Sequence, residues 1–396
     1  MKQPLIRRTL AAVAGASLLG GAALAGESGK VVIDDPVVDP EPWDYCDIFD
    51  YNKLFKAETG FVRSVSVHGR YHGQYIHQSE DIGGVDNDFE EWQHRRARLG
   101  LEIAMDYGLT FYAEANFASY LNNTGGPFFD NFQDLYLELE QDAYWIRVGK
   151  QKQKFTIEDA ESSKRIKTVE RSAIVNEVGG ARPWGAVVGF EAFGVDHAFG
   201  GWLYGGHADA PEWLDFNSNG GFSYNGKYGL FDHTKLHFDY VYADNKGGSE
   251  GSEGSAANGF GPDYEHGFSL GTRTKTGKWD ITANAIIGLN RTGGGGIPDG
   301  NDTWGFYVLP AYHLTDSLEL VFRYAYMDEG REQRTQRFDR RVAVENYHTI
   351  YGGVQYKICG DKLKIMAGYE YATGDVFQSG DDIDTGSWQL AVRTYF

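Results

Sequence analysis

Apolar and polar side chains alternate one by one over most of the chain beyond residue 62. Leu99, Leu101 and Ile103, for example, are separated by Gly100 and Glu102. A period of two sustained over about ten residues predicts β-strands with one apolar and one polar face. Sixteen such runs occur, at about residues 64–77, 90–105, 109–120, 131–139, 143–153, 184–193, 197–204, 221–228, 234–242, 265–274, 278–289, 303–312, 317–327, 347–358, 362–373 and 387–396.

The connections between these runs alternate in length. Short turns fall at residues 106–108, 140–142, 195–196, 229–233, 276–277, 315–316 and 359–361. Longer polar or glycine-rich segments fall at about 78–89, 121–130, 154–183, 205–220, 244–264, 290–302, 328–346 and 374–386. Short turns at one end and long loops at the other are typical of outer-membrane barrels. We therefore predict an all-β fold, a 16-stranded antiparallel transmembrane β-barrel with short periplasmic turns and long extracellular loops.

The C-terminal run agrees with a barrel in a membrane. Trp388, Leu390, Val392 and Phe396 share one face of the predicted strand, and the chain ends on Phe396. Such an ending resembles the signal that outer-membrane barrels present to their insertion machinery. Tyr and Trp near strand ends match the aromatic girdles of such barrels. A secreted, adhesin-like β-sandwich or β-helix is the alternative fold.

The first 60 residues differ from the rest. Residues 1–25 combine a basic start, a short apolar run and an Ala-Leu-Ala end, which predicts a secretory signal peptide rather than a membrane anchor. Residues 26–60 then form an N-terminal periplasmic segment that contains three prolines and, over residues 43–56, a predicted short helix. The barrel itself occupies residues 61–396.

Composition narrows the functional classes. The 396-residue chain contains 52 Gly, 25 Tyr, 24 Phe and only 2 Cys, and its formal net charge is -19. Two cysteines exclude a disulfide scaffold and a multi-cysteine zinc site. The acidic balance argues against nucleic acid as a partner, because phosphate backbones need a concentrated basic face. No run of about 18 apolar residues follows residue 25, so no spanning helix is predicted.

Four motifs in the first part of the barrel resemble the phosphate-selective porin O and P family. They read HGRY at 68–71, WQHRRARLG at 92–100, NFQDLY at 131–136 and VGKQKQKF at 148–155, and residues 162–165 and 169–171 are similar too. The resemblance implies a homotrimeric pore in the outer membrane of a Gram-negative bacterium, surrounded by lipid and guiding small anions such as phosphate along basic side chains. It implies no enzymatic reaction and no cofactor.

The same resemblance assigns candidate pore residues. Constriction or ladder positions are implied for Arg70, Arg95, Arg96, Arg98 and Asp134. A long loop after the fifth strand is implied to fold into the lumen, and it carries or adjoins Lys152, Lys154, Lys164 and Arg165.

Alternation alone predicts a mixed lumen. Ten basic residues face inward, namely Arg70, Arg96, Arg98, Arg147, Lys235, Arg273, Arg323, Lys357, Lys364 and Arg393. Nine acidic residues share that face, namely Glu102, Glu114, Asp134, Glu138, Glu191, Asp239, Asp280, Glu319 and Glu370. Arg95 has the wrong parity unless a bulge re-aims it. The arginines either guide anions or brace the wall, and a general or saccharide porin is the alternative within channels.

Other candidate sites are weaker. His68 and His72 share a face but lie roughly 13 Å apart along a strand, too far for one metal ion. The glycines at 293–296 lack the strand–loop–helix context of a nucleotide site. An outer-membrane hydrolase would need a Ser/His/acid set, for which Ser269, His237 and Asp239 are available without any supporting spacing.

The two cysteines are predicted to lie on the same side of the membrane. Cys46 precedes the first strand and Cys359 sits in a short turn, so both belong to the oxidising periplasm. We hypothesise a Cys46–Cys359 disulfide that holds the 26–60 segment beneath the barrel mouth.

Overall fold

The computed structural model describes residues 44–50, 52–122, 128–179, 182–207, 210–244, 264–291, 300–331 and 342–396. Tyr45–Phe396 form one compact unit. The predicted signal peptide at 1–25 and residues 26–43 lie outside the described residues. In the described part of the chain, no helix is long and apolar enough to cross a membrane.

Sixteen long antiparallel strands form a closed barrel, as predicted, because each pairs with its sequence neighbour and the last pairs with the first. They are β1 Val62–Ile82, β2 Val85–Met105, β3 Leu109–Asn116, β4 Asn131–Glu140, β5 Tyr144–Lys150, β6 Trp184–Ala192, β7 Val195–His207, β8 Ala210–Phe231, β9 Thr234–Ala243, β10 Tyr264–Thr276, β11 Trp279–Arg291, β12 Thr303–His313, β13 Leu318–Asp328, β14 Ala343–Lys357, β15 Leu363–Val376 and β16 Asp382–Tyr395.

A few short elements complete the chain. The helices α1 Ala118–Leu121, α2 Ile157–Ala160 and α3 Ala173–Val178 lie in loops at the long-loop end. Two 3₁₀ turns, Tyr45–Asp50 and Asp106–Gly108, lie at the short-turn end, and two short strands, Lys53–Lys56 and Gly330–Arg331, pair with β1 and β14.

The side chains alternate between the two faces of the wall as predicted. In β16, Trp388 and Leu390 are exposed on the outside, whereas Gln389, Ala391 and Arg393 are buried on the inside. Apolar side chains outside and polar ones inside are the arrangement expected for a barrel that separates lipid from a hydrated lumen.

Three of the predicted long loops were wrong. The segments expected as loops at 78–89, 205–220 and 374–386 are largely strand, because β1/β2, β7/β8 and β15/β16 continue as hairpins beyond the predicted ends. The β1–β2 turn consists of Gly83 and Gly84, whose positive φ values of 58° and 82° suit a two-residue hairpin. In the first and third segments polar residues occupy both faces, so hydrophobic periodicity cannot reveal strand there.

The N-terminal segment does not form one helix but attaches to β1 and to the β14–β15 turn at the short-turn end of the barrel. The prediction of one helix at 43–56 was wrong, because the 3₁₀ turn ends at Asp50 and Lys53–Lys56 is a short strand. This strand pairs with residues 64–66 of β1, next to Gly69, where the C-terminal Phe396 makes its backbone hydrogen bonds to β1. A disulfide joins Cys46 to Cys359 in the β14–β15 turn, and Asp50 forms an ion pair with Lys362 in the same turn. The segment therefore spans the seam where first and last strands meet.

The connection between β5 and β6, residues 151–183, folds into the lumen as the family resemblance implied; we call it the inward loop. Its helix α3 packs Ile174 and Val175 against an apolar patch of the inner wall that includes Tyr307 and Met327. Ile174 is fully buried, which is worth about 2 kcal/mol. Since β12 is apolar both towards this helix and towards the outside, its alternation was ambiguous in the sequence.

Candidate functional site: the inward loop and the lumen

The inward loop is attached to the wall on several sides. Where the loop enters α2, its backbone amides meet wall side chains: Ile157 N donates to Asn284 (3.0 Å) and Glu158 N donates to the Tyr307 hydroxyl (3.1 Å). On the opposite side of the loop, Arg393 of β16 donates to the Val169 carbonyl. Attachment on both sides holds the loop across the lumen, where it narrows the channel.

Every acidic side chain of the inward loop forms an ion pair with a loop or wall cation. The pairs are Glu158–Arg323 (3.2 Å), Asp159–Lys152 (2.7 Å), Glu161–Arg273 (2.7 Å), Glu170–Arg95 (2.7 Å) and Glu177–Arg291 (2.6 Å). The negative charge of the loop is therefore matched by fixed cations. These pairs also show which wall residues position the loop.

The predicted ladder arginines brace the structure. Arg70 and Arg98 share the carboxylate of Glu114, at 2.9 and 3.1 Å, and Arg70 also donates to Ser163 of the inward loop (2.8 Å). Asp134 is likewise occupied, by Arg182 at 2.6 Å. Of the two roles left open by the sequence, this geometry favours bracing for Arg70 and Arg98.

Arg95 reaches the lumen because of a bulge. The β1–β2 register shifts between the pairs His72–Arg96 and Gly73–His94, so Arg95 is the extra residue. An unpaired bulge residue is re-aimed, and here it points inward to Glu170. Arg96 is buried beside His72, 3.4 Å from its Nδ1. Arg95 is thus paired with Glu170 of the inward loop, and Arg96 interacts electrostatically with the same carboxylate.

The cations of the inward loop differ in their partners. Lys152 is paired with Asp159, and Arg165 is 64% exposed beside Glu161. Lys154 and Lys164 form no ion pair in the described part of the chain, and the Lys164 ammonium lies 4.7 Å from the Tyr395 ring centroid. Among the sequence-predicted pore cations, these two lysines and Arg96 have no carboxylate ion pair in the described part of the chain. Glu138 and Asp239 still interact electrostatically with Lys154, and Glu114 and Glu102 with Lys164.

Desolvation and neighbouring cations shape the ionisation of the loop. Desolvation inside the barrel, with Lys227 and Arg147 nearby, lowers the pKa of Lys154 to about 8. Desolvation also lowers the pKa of Lys152 to about 7, against the opposing effect of Asp159. Although burial alone would raise it, the guanidinium groups of Arg95 and Arg96 lower the pKa of Glu170 to about 2. Lys154 therefore stays charged at neutral pH.

Sequence reasoning missed Lys227 of β8, which adds to the cationic side of the lumen. It lies opposite His237 of β9 and interacts electrostatically with Lys154. Lys227 forms no ion pair among the residues described, although Asp196 of β7 is its neighbour in register. Its inward position follows once the β8 register is known, but the predicted strand at 221–228 had ambiguous alternation.

The described residues assemble neither a metal site nor the Ser/His/acid set considered for a hydrolase. Within the described ranges, no group of three or more His, Cys, Asp or Glu side chains is arranged to hold a metal ion. Ser269 pairs with Asn284 and Asp239, and no hydrogen bond joins it to His237 in the part of the chain that the structure describes. The proposed catalytic set is therefore not formed.

Comparison with known proteins agrees with this architecture. Residues 65–190 match the family model described as phosphate-selective porin O and P. No curated protein matches the chain. Its fold resembles an anion-selective porin from Comamonas acidovorans, with 15% identity over 84% of this chain and 99% of that one and a TM-score of 0.57.

Two further porin structures show the same fold. The outer membrane channel DcaP of Acinetobacter baumannii is 14% identical over 86% of this chain and 99% of that one, with a TM-score of 0.54. OmpF of Salmonella typhi, in complex with daunomycin, is 12% identical over 84% and 98%, with a TM-score of 0.56. The chain therefore has the barrel fold of outer-membrane porins and, over residues 65–190, matches the phosphate-selective porin O and P family model.

Proposed function

We propose that this porin conducts small hydrophilic solutes by passive diffusion and prefers small anions of the phosphate class. The observation that carries the proposal is the charge balance of the inward loop. All of its acidic side chains are paired, whereas Lys154 and Lys164 have no carboxylate partner among the described residues. An uncompensated positive charge at a narrowing raises the local concentration of anions.

The comparisons support the same preference. The family model that matches residues 65–190 is described as phosphate-selective, and a porin of similar fold is named anion-selective. These descriptions apply to the relatives, and for this chain they support a preference for anions over cations.

Lysine rather than arginine carries the free charge in this proposal. Arginine guanidinium groups bind phosphate through bidentate hydrogen bonds, but Arg70 and Arg98 already bind Glu114. A lysine ammonium attracts anions as a point charge with little geometric discrimination. We therefore expect selection by charge sign, with phosphate favoured over chloride only modestly by these lysines.

The proposal is tested by the reversal potential of the purified porin in a planar bilayer under a KCl gradient, followed by titration with phosphate. We expect a reversal potential of the sign that chloride permeation produces, and a conductance that falls as phosphate enters the pore. Cation selectivity, or block by neutral sugars without anion selectivity, would instead favour a general or saccharide porin.

We also propose that the porin works as a homotrimer in outer-membrane lipid. The family resemblance supports this assembly, and so does a largely apolar groove beside α1, lined by Leu99, Phe117, Tyr120 and Phe396 among others. Crosslinking in native membranes tests it: a trimeric band is expected, and a monomer alone would contradict it.

A further inference from the structure

The first and last strands of the barrel, β1 and β16, meet without a connecting loop. Their last register pair joins Arg70 to Tyr395. Beyond it, Phe396 N donates to the Gly69 carbonyl (3.1 Å) and Gly69 N donates to the Phe396 carbonyl (3.2 Å). β1 continues from there to Val62, and this lower part of β1 does not pair with β16. The seam between the two strands therefore depends on noncovalent contacts between them.

The N-terminal segment takes the place of β16 on the lower part of β1. Its strand Lys53–Lys56 pairs antiparallel with residues 64–66, and Val67 N donates to the Asn52 carbonyl (2.8 Å). Since β2 pairs with the opposite edge of β1 over the same stretch, this short strand lies on the β16 side. It therefore satisfies backbone groups that an edge strand would leave open.

The same segment is also attached to the other neighbour of β16. The Cys46–Cys359 disulfide joins it to the β14–β15 turn, and Asp50 forms an ion pair with Lys362 in that turn. The Lys362 carbonyl accepts a hydrogen bond from Tyr395 N at the end of β16 (2.9 Å). The segment thus runs from β1, past the end of β16, to the turn that leads into β15. A covalent bond therefore holds together the two strands that flank β16.

We propose that residues 44–50 and 52–57, which we call the seam strap, lock β16 against β1. Paired strands separate from their ends, so the seam opens first where β16 meets Gly69. β16 can leave only if β1 and the β14–β15 turn move apart, and the disulfide prevents this. Because it joins residues 313 positions apart, the disulfide excludes a large set of opened states. Without it, the short strand and the Asp50–Lys362 pair remain, and an ion pair at the surface contributes little.

Amide hydrogen exchange, measured by mass spectrometry on the full porin in detergent, tests the lock. At times short compared with global unfolding, exchange reports local opening. In the Cys46→Ser/Cys359→Ser variant, we expect residues 70–74 of β1 and 389–396 of β16 to exchange about tenfold faster than in the wild type. Residues 234–243 of β9, half-way around the barrel, should change by less than about twofold. Each single serine variant should match the double variant, because either substitution removes the same bond.

A second variant tests the strand of the seam strap with the disulfide intact. Ala57→Pro removes the N–H that donates to the Arg63 carbonyl (2.9 Å). Exchange at the seam should then rise about threefold, the scale of one backbone hydrogen bond. If the cysteine variants do not fold, Ala57→Pro remains the test, and wild-type exchange at its seam would contradict the proposal.

Two results in the cysteine variants would overturn the lock. One is exchange at the seam that equals that of the wild type. The other is an equal increase at the seam and in β9, because the disulfide would then stabilise the barrel as a whole without acting on the seam. The ion selectivity of the pore does not enter into any of these outcomes.

Discussion

The buried ion pair between Glu177 of α3 and Arg291 of β11 should anchor the inward loop. Both side chains are fully buried, their charged atoms are 2.6 Å apart, and the Tyr264 hydroxyl donates to Glu177 (3.0 Å). Glu177→Gln would remove the Glu177 carboxylate from its buried ion pair with Arg291, and breaking a buried ion pair costs about 3–5 kcal/mol. The apolar contacts between Ile174 and the wall contribute only about 2 kcal/mol to holding α3, which is less than the cost of breaking the ion pair. We therefore expect the variant barrel to form with a loosened loop.

Two measurements follow the loosening. The free energy of unfolding in urea, monitored by tryptophan fluorescence in detergent, should fall by about 3–5 kcal/mol, and single-channel records should show larger and noisier conductance. The double variant Glu177→Leu/Arg291→Met removes both charges and should recover most of the lost stability, because an apolar replacement of a buried pair is often neutral. A Glu177→Gln porin within about 0.5 kcal/mol of wild type, or a double variant no better than the single one, would refute the anchoring role.

Three further results are expected. Because Lys154 has a pKa of about 8 and loses its charge above it, anion selectivity should fall between pH 7 and 9, whereas Lys154→Gln should show a smaller and flatter response in the same reversal-potential series. The pKa of Glu170 is about 2, whereas a free glutamate has a pKa of about 4.3, so its ion pair stabilises the loop above pH 4 and this stabilisation is lost as the pH falls towards 2. Acid titration of the conductance should show this transition, and Glu170→Gln should lack it. The Cys46→Ser/Cys359→Ser variant should lose about 2–4 kcal/mol of stability and shift from folded to unfolded mobility at a lower temperature, as should reduced wild type; equal mobility with and without reductant would contradict this.

The barrel was predictable because its signal is simple and repeated. A wall with lipid on one side and water on the other forces a period of two, and β16 shows it residue by residue from Trp388 to Arg393. The sequence could place Arg95 in the lumen only if a bulge was assumed. A bulge changes which face a residue points to, but the amino-acid sequence does not show where the bulge occurs.

The partners inside the lumen were not predictable. Inward acids and bases were identified one by one, but the sequence does not show that Arg70 and Arg98 converge on Glu114, which lies on a different strand from Arg70. Nor does it show that a loop helix covers β12, because an apolar inner face also fits a strand buried on both sides. The predicted Arg70, Arg95 and Arg98 are therefore paired with carboxylates, whereas the predicted Lys154 and Lys164 form no ion pair among the described residues.

Anion preference through the two unpaired lysines is tested most directly by reversal potentials in a KCl gradient for the wild-type porin and the Lys154→Gln/Lys164→Gln variant. An ammonium about 4 Å from a passing anion contributes about 1 kcal/mol in water, so removing each charge should lower chloride permeability by about fivefold and the chloride-to-potassium ratio by at least as much. We expect an anion-selective wild type and a variant that loses most of this selectivity. A cation-selective wild type, or a variant with the same reversal potential, would contradict the proposed role of the lysines.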